Sequence, residues 1–318
     1  MKVTRVLYPF LPLCQRFLPN RLAGLSVALL KATALELAIL TGHLLLYPSG
    51  IVQERRGRAA LPAPPVRGAR TSLDAGSLDA TTGADDTGAD GTDDSPDPAR
   101  LPAPAHPPVV LLHGFIDNRS VFLLLRRNLA QHGRQRVESL NYSPLTCDIR
   151  IAAELLGRHI EEICERTGSE RVDVVGHSLG GLIARYYVQR LAGDHRVRTL
   201  VTLGTPHSGT RVAPLANAHP IVRQMRPGSP VLLELAQPAP GCRTRFVSFW
   251  SDLDHLMDPL ESACIDHPDL LAQNIRVTGI GHLALPVHPA VAAGIRQALD
   301  AELPGTDTGA HTGGLTVA

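Results

Sequence analysis

The chain has 318 residues, 44% of them apolar, and a formal net charge of +1. That is enough apolar material for one sizeable core, and it offers no field of one sign to recruit nucleic acid or another highly charged partner. Five cysteines in this length exclude a disulfide-framed mini-protein.

Residues 1–56 are apolar and basic. Within them LAGLSVALLKATALELAILTGHLLLY, residues 22–47, is long enough to span a bilayer. Lys2, Arg5, Arg16 and Arg21 precede the run, as in a signal anchor. Lys31 and Glu36 interrupt it, each costing roughly 2.5–3.5 kcal/mol at the centre of a span. Arg55, Arg56 and Arg58 follow and weaken the charge asymmetry. Three readings stay open: a membrane anchor, an export signal, and a helix lying on a membrane or on the folded domain. The expected location is the membrane or the cell surface.

Residues 57–106 hold Pro, Ala, Gly, Thr and Asp with almost no large apolar groups. Such a segment cannot bury enough surface to offset its ordering entropy, so a disordered linker is expected. Its DDTGADGTDD places Asp86, Asp90, Gly91 and Asp94 near calcium-loop spacing. Gly88 stands at a ligand position, however, and no helical pattern flanks the loop, so it reads as solvated linker and no metal is expected.

From Pro107 to about Leu303 strand-like and helix-like stretches alternate. PPVVLLHG is a short apolar run, as for a buried parallel strand. RSVFLLLRRNLAQHG predicts a helix stopped by Gly133, and RVESLNY a strand. DIRIAAELLGRHIEEICERTG has Asp148 as N-cap, Ile151, Leu155, Ile160 and Ile163 along an apolar face, and Gly168 as terminator. RVDVVG predicts a strand and SLGGLIARYYVQRLAG a helix. VRTLVTLG, RTRFVSFW and NIRVTGIG add three strands, and HPAVAAGIRQALDAEL closes with a helix. This order predicts an α/β fold, a mostly parallel sheet with helices on both faces. Residues 107–303 then form one folded domain and 304–318 a disordered tail.

GHSLGG, residues 176–181, lies where one predicted strand meets a helix. Ser178 therefore sits on a sharp turn at the carboxyl edge of the sheet, with Gly176 and Gly180 letting the two backbones approach. That is the nucleophile elbow, G-x-S-x-G, in its confirming context. An acyl-transfer site also needs two donors for the developing oxyanion. The Leu179 N–H is one candidate, and the Phe115 N–H, from the HGF loop after the first strand, is the other. His113 precedes the nucleophile and reads as a structural histidine.

The chain order expected of such a site is Ser, then an acid, then His. Asp252, Asp254 and Asp258 follow the strand that ends near Trp250. His282 follows the Gly279–Gly281 turn at the last predicted strand end. Among the fourteen histidines, His207, His255, His267 and His288 are its competitors. His207, in LGTPHSGT, reads as part of a loop that shapes the pocket.

PVVLLHGF, GHSLGG, LGTPHSGT, SDLDHLMDP and GIGHLALP, in this order, resemble bacterial lipases of the α/β-hydrolase superfamily. The resemblance covers roughly residues 107–302. It implies an α/β-hydrolase fold, a Ser-Asp-His triad, an acyl-enzyme and no cofactor, with carboxylic esters of acyl lipids as substrates. The same machinery serves acyl-thioesterases and acyltransferases, and an inactive, membrane-tethered binding protein is the reading from another class. Related hydrolases often carry D-x-x-V-x-P after the acid-bearing strand. DHLMDP matches it with Asp254, Met257 and Pro259, which favours Asp254 over Asp252.

Cys242 and Cys264 bracket the acid-bearing segment, and a disulfide between them is expected, worth about 3 kcal/mol in the loop-entropy picture. Val231, Leu232, Leu233, Leu235 and Ala236 fit either a short apolar helix over the pocket or part of the core.

Overall fold

The computed structural model describes residues 33–42, 45, 106–115, 117–142, 148–212 and 219–301. The expected linker at 57–106, apart from His106, the tail at 304–318 and most of the 22–47 run lie outside the described residues. From the 22–47 run, residues 33–42 form a helix, α1. Among the described residues no helix is long and apolar enough to cross a membrane.

Six strands follow: β1 (Val109–Leu112), β2 (Val137–Leu140), β3 (Val172–His177), β4 (Val197–Leu203), β5 (Arg245–Ser251) and β6 (Leu271–Val277). They form one sheet in the order β2-β1-β3-β4-β5-β6, with every neighbouring pair parallel. The chain order reverses at β1, beside β3. In open parallel sheets the crevice at such a reversal, beyond the carboxyl ends of the strands, is where ligands bind.

Alternation along the strands feeds two cores. Val110, Leu112, Val174, Leu200 and Phe246 face one side, where they meet α3 (Ile149–Thr167) and α4 (Leu179–Arg190). Val109, Leu111, Val175, Val201, Val247 and Phe249 face the other, against α2 (Leu123–Gln131) and α7 (Pro289–Asp300). Helices thus cover both faces, as the βα alternation predicts.

Asp148 caps α3 by accepting the Arg150 N–H at 2.7 Å, and Gly168 ends it in the left-handed region at φ 67°. The apolar face differs from the expected one. Ile149, Ala152, Ala153, Leu156, Ile160 and Ile163 are buried, whereas Ile151 is 55% exposed. At 3.6 residues per turn, the stripe through 149, 152, 153 and 156 leaves position 151 on the far side.

Between β4 and β5 lie two short helices, α5 (Pro220–Gln224) and α6 (Pro230–Leu235). In α6, Val231, Leu232 and Leu235 are buried in the first core while Pro230 and Leu233 face out, so one side of the VLLELA run is core. Glu234 fastens it, accepting from the Arg150 guanidinium and, at 2.6 Å, from the Tyr186 hydroxyl. The expected Cys242–Cys264 disulfide is not formed, and both are free thiols. Cys242 sits by the α4 side of the first core, while Cys264 follows the 3-10 turn Leu260–Ala263 and lines a separate cavity. Bracketing a segment in sequence did not bring its ends together.

Candidate active site

Ser178 occupies the junction of β3 and α4 with φ 52° and ψ −119°. That backbone conformation is rare for a residue with a side chain and costs of order 1–3 kcal/mol, so the surroundings must hold it. They do so through three bonds. The Ser178 N–H donates to the Leu203 carbonyl at 2.9 Å, and its own carbonyl accepts from the Gly181 N–H and the Thr205 hydroxyl, each at 3.0 Å. The glycines divide the steric work. A Cβ on Gly176 would lie 2.6 Å from the Gly181 backbone, and one on Gly180 would lie 2.4 Å from the Leu112 carbonyl oxygen. Gly181 adds a third close approach, since its Cβ would strike the Thr205 side chain.

β5 ends one residue past Trp250, and the next turn carries Asp254, which is fully buried. Its Oδ2 stands 2.8 Å from His282 Nδ1, and its Oδ1 accepts the Leu256 N–H at 3.0 Å. Asp252 points elsewhere: it pairs with Arg276 at 3.1 Å and accepts the Gly279 N–H at 3.0 Å. It thereby caps the turn leading to His282. Asp258 lies exposed beyond them. Burial alone would push the His282 pKa down, but the adjacent Asp254 carboxylate, with Asp117 and Glu36 beyond it, outweighs burial and raises it.

Ser178 and His282 line one cavity of about 270 Å³. Phe115, Pro206, Val212, Val222, Met225, Leu256, Met257 and Leu283 make its walls mostly apolar. Val222 and Met225 come from α5 and the residue after it, so α5 and not α6 borders the space. Leu179 is the first residue of α4, where a helix leaves its N–H groups without intrahelical acceptors. Phe115, after β1, lines the same cavity.

The other histidines have different surroundings. His113 is buried, stacks on Tyr142 at 4.3 Å, and has its pKa lowered by desolvation. His207 is buried with Nε2 at 3.0 Å from the Thr202 hydroxyl, and burial lowers its pKa strongly. It lines a second cavity, of about 590 Å³, with Arg185 and Cys264. Pro206, beside it, and Thr210 are what the LGTPHSGT loop contributes to the Ser178 cavity. His267 contacts the Gln237 carbonyl at 3.0 Å, His288 caps α7, and His255 is exposed.

Two residues escaped the sequence reading. His177, between Gly176 and Ser178, is buried with Nδ1 3.0 Å from Asp117 Oδ2 and Nε2 3.2 Å from the His282 carbonyl oxygen. Its ring centroid lies 4.8 Å from that of His282. The pair His177–Asp117 thus bridges the β1 loop, the elbow and the His282 turn. Only the HS dipeptide of the elbow hinted at His177, and nothing in the sequence hinted at Asp117.

Residues 107–237 match the family described as alpha/beta hydrolase fold. The chain is similar to triacylglycerol lipases of Pseudarthrobacter phenanthrenivorans and Burkholderia plantarii, each 30% identical over 114 residues, or 33% of this chain. Those alignments cover 35% and 31% of the two relatives, so the chain spans about a third of the length of the curated relatives it matches. Aspergillus fumigatus lipase B is similar in fold, with a TM-score of 0.57 at 18% identity over 65% of this chain and 56% of that one. The domain has the α/β-hydrolase fold, and the sequence relatives it resembles are bacterial triacylglycerol lipases.

Proposed function

We propose that this α/β-hydrolase-fold protein cleaves carboxylic esters of acyl lipids through a Ser178–His282–Asp254 triad and an acyl-enzyme. The observation that carries the reading is the 2.8 Å contact of His282 Nδ1 with buried Asp254, on a wall of the cavity into which the Ser178 elbow opens. A carboxylate on Nδ1 fixes the tautomer that leaves Nε2 free to accept a proton.

Ser178 Oγ attacks the acyl carbonyl carbon while His282 Nε2 takes the hydroxyl proton. The Phe115 and Leu179 N–H groups donate to the oxyanion that forms. Collapse breaks the bond to the alcohol oxygen, and His282 returns the proton to it. Water then repeats the sequence on the acyl-serine: His282 takes a water proton, the hydroxyl adds to carbon, and the Ser178 oxygen leaves and is reprotonated as the acid departs. The apolar lining suits an acyl chain, and its volume is near the lower end for ligand sites, about 300–1,000 Å³.

A series of aryl esters and thioesters from short to long acyl chains tests the reading, together with a fluorophosphonate probe. Turnover with labelling that disappears in Ser178→Ala is the expected result. A folded protein that turns over no acyl substrate and takes no probe overturns it. Thioesters cleaved well ahead of matched esters would move the assignment to a thioesterase.

A further inference from the structure

We propose that Glu36, on the N-terminal helix, is a positioning residue for the turn that carries His282; the catalytic part of this inference rests on His282 being the base. Glu36 Oε2 accepts the Leu283 N–H at 3.1 Å and Oε1 accepts the Ala284 N–H at 3.0 Å. The contact joins residues 247 and 248 positions apart in the chain. On the other side of the base, a Cβ on Gly281 would stand 2.3 Å from Glu36 Oε1, so the glycine leaves the space that the carboxylate fills. One carboxylate thus abuts both flanks of His282.

The sequence makes this contact informative. Glu36 interrupts an apolar run, where an acid without a partner is costly. Here it receives two backbone N–H groups, and bonds to an ionised acceptor are roughly twice as strong as neutral ones. Ile39, one turn on, packs against the second core, whereas Leu35 and Leu37 are exposed. Glu36 thus ties α1 directly to the turn that carries His282. With Asp254 at Nδ1 and His177 at the carbonyl oxygen, His282 is still free to shift if the two following amides are loose; anchoring them restricts that freedom.

The charged and titratable groups that face His282 are Asp254, Asp117 and Glu36, with His177 against its ring. Removing the Glu36 charge takes away one of the three that favour the imidazolium. This gives a readout that a merely structural contact would not move.

The test uses the full chain with Glu36→Ala and Glu36→Gln, and Leu37→Ala as a control on the exposed face of the same helix. Amide hydrogen exchange is read at Leu283, whose N–H bonds to Glu36, whereas the Ala284 N–H also reaches the Gly281 carbonyl. Expected for Glu36→Ala are exchange at Leu283 faster by about tenfold, kcat lower by about tenfold with KM within about twofold, and an acid limb of kcat/KM moved to lower pH. Glu36→Gln, which keeps an acceptor without the charge, should recover part of kcat while the limb stays lowered. Leu37→Ala should match the wild type. Should Glu36→Ala not fold, Gly281→Ala displaces the carboxylate from the opposite side and should give the same exchange signature. Unchanged exchange at Leu283, or faster exchange with kcat and pH limb unchanged, overturns the proposal. Faster exchange in a protein whose wild type cleaves no ester upholds the clip and overturns the catalytic reading instead.

Discussion

A side chain at Gly204 would occupy the place where Asp254 meets His282: its Cβ would lie 2.7 Å from Asp254 Oδ2 and 3.0 Å from His282 Nδ1. Gly204 also has φ 51°, which disfavours any residue with a Cβ. Gly204→Ala should therefore wedge the acid from the base and strain the end of β4. We expect kcat to fall by about a hundredfold or more, with a stability loss of about 1–2 kcal/mol. Steady-state kinetics and urea unfolding of the same preparation check both, and an Ala variant with wild-type kcat would contradict the geometry.

The two aspartates that the sequence could barely separate should part clearly on mutation. Asp254→Asn keeps its shape but loses the charge on Nδ1, and should cost about a thousandfold or more in kcat. Asp252→Asn weakens a solvent-facing bond to Arg276 and a cap on the Gly279 N–H, and should cost less than about tenfold. The opposite ranking, with both variants folded by circular dichroism, would shift the role to Asp252.

The raised pKa of His282 sets a pH dependence whose sign can be worked out. In the proposed mechanism His282 works as base when neutral, so kcat/KM should climb with pH through a pKa above the ordinary 6.5. Asp254→Asn should move that limb downward. For stability the same group acts in the other direction. The folded state binds this proton more tightly than the unfolded chain, so its contribution is complete below the unfolded pKa and lost as pH rises through the folded one. Log kcat/KM against pH is the measurement, and a wild-type limb well below 6.5 would contradict the assignment.

Asp173, on β3 far from Ser178, should govern stability and leave chemistry alone. It is fully buried, with Arg198 at 2.7 Å and Arg134 at 3.1 Å. Burial pushes its carboxyl up in pKa, against the pull of the two guanidinium groups. Both arginines also donate to the Leu299 carbonyl, so the cluster ties β3 to the end of α7. Asp173→Ala leaves these cations without their shared counter-ion and should cost about 3–5 kcal/mol, seen in a urea titration. Activity per folded molecule should be unchanged.

Much of this was legible in the chain because it depends on local pattern. Alternating apolar runs and helical stripes gave the parallel sheet covered on both faces. Asp148 and Gly168 marked the ends of α3, and GHSLGG marked the turn between β3 and α4. Chain order and strand ends nominated Ser178, His282 and three candidate acids, and only the resemblance to bacterial lipases favoured Asp254 among them. These features need only neighbours within a few residues, so one-dimensional spacing carries them.

The rest needed contacts between distant segments. Asp117 meets His177 across 60 residues, Gly204 makes room for a pair contributed by two other loops, and Glu36 reaches amides 247 and 248 positions away. Cys242 and Cys264 looked pairable and are free, and Val231, Leu232 and Leu235 of the VLLELA run are core while α5 borders the cavity. Spacing along the chain does not specify distance through space once a strand, a turn and a helix intervene. Which polar atom finds which partner is decided only when the sheet order brings their loops to one edge.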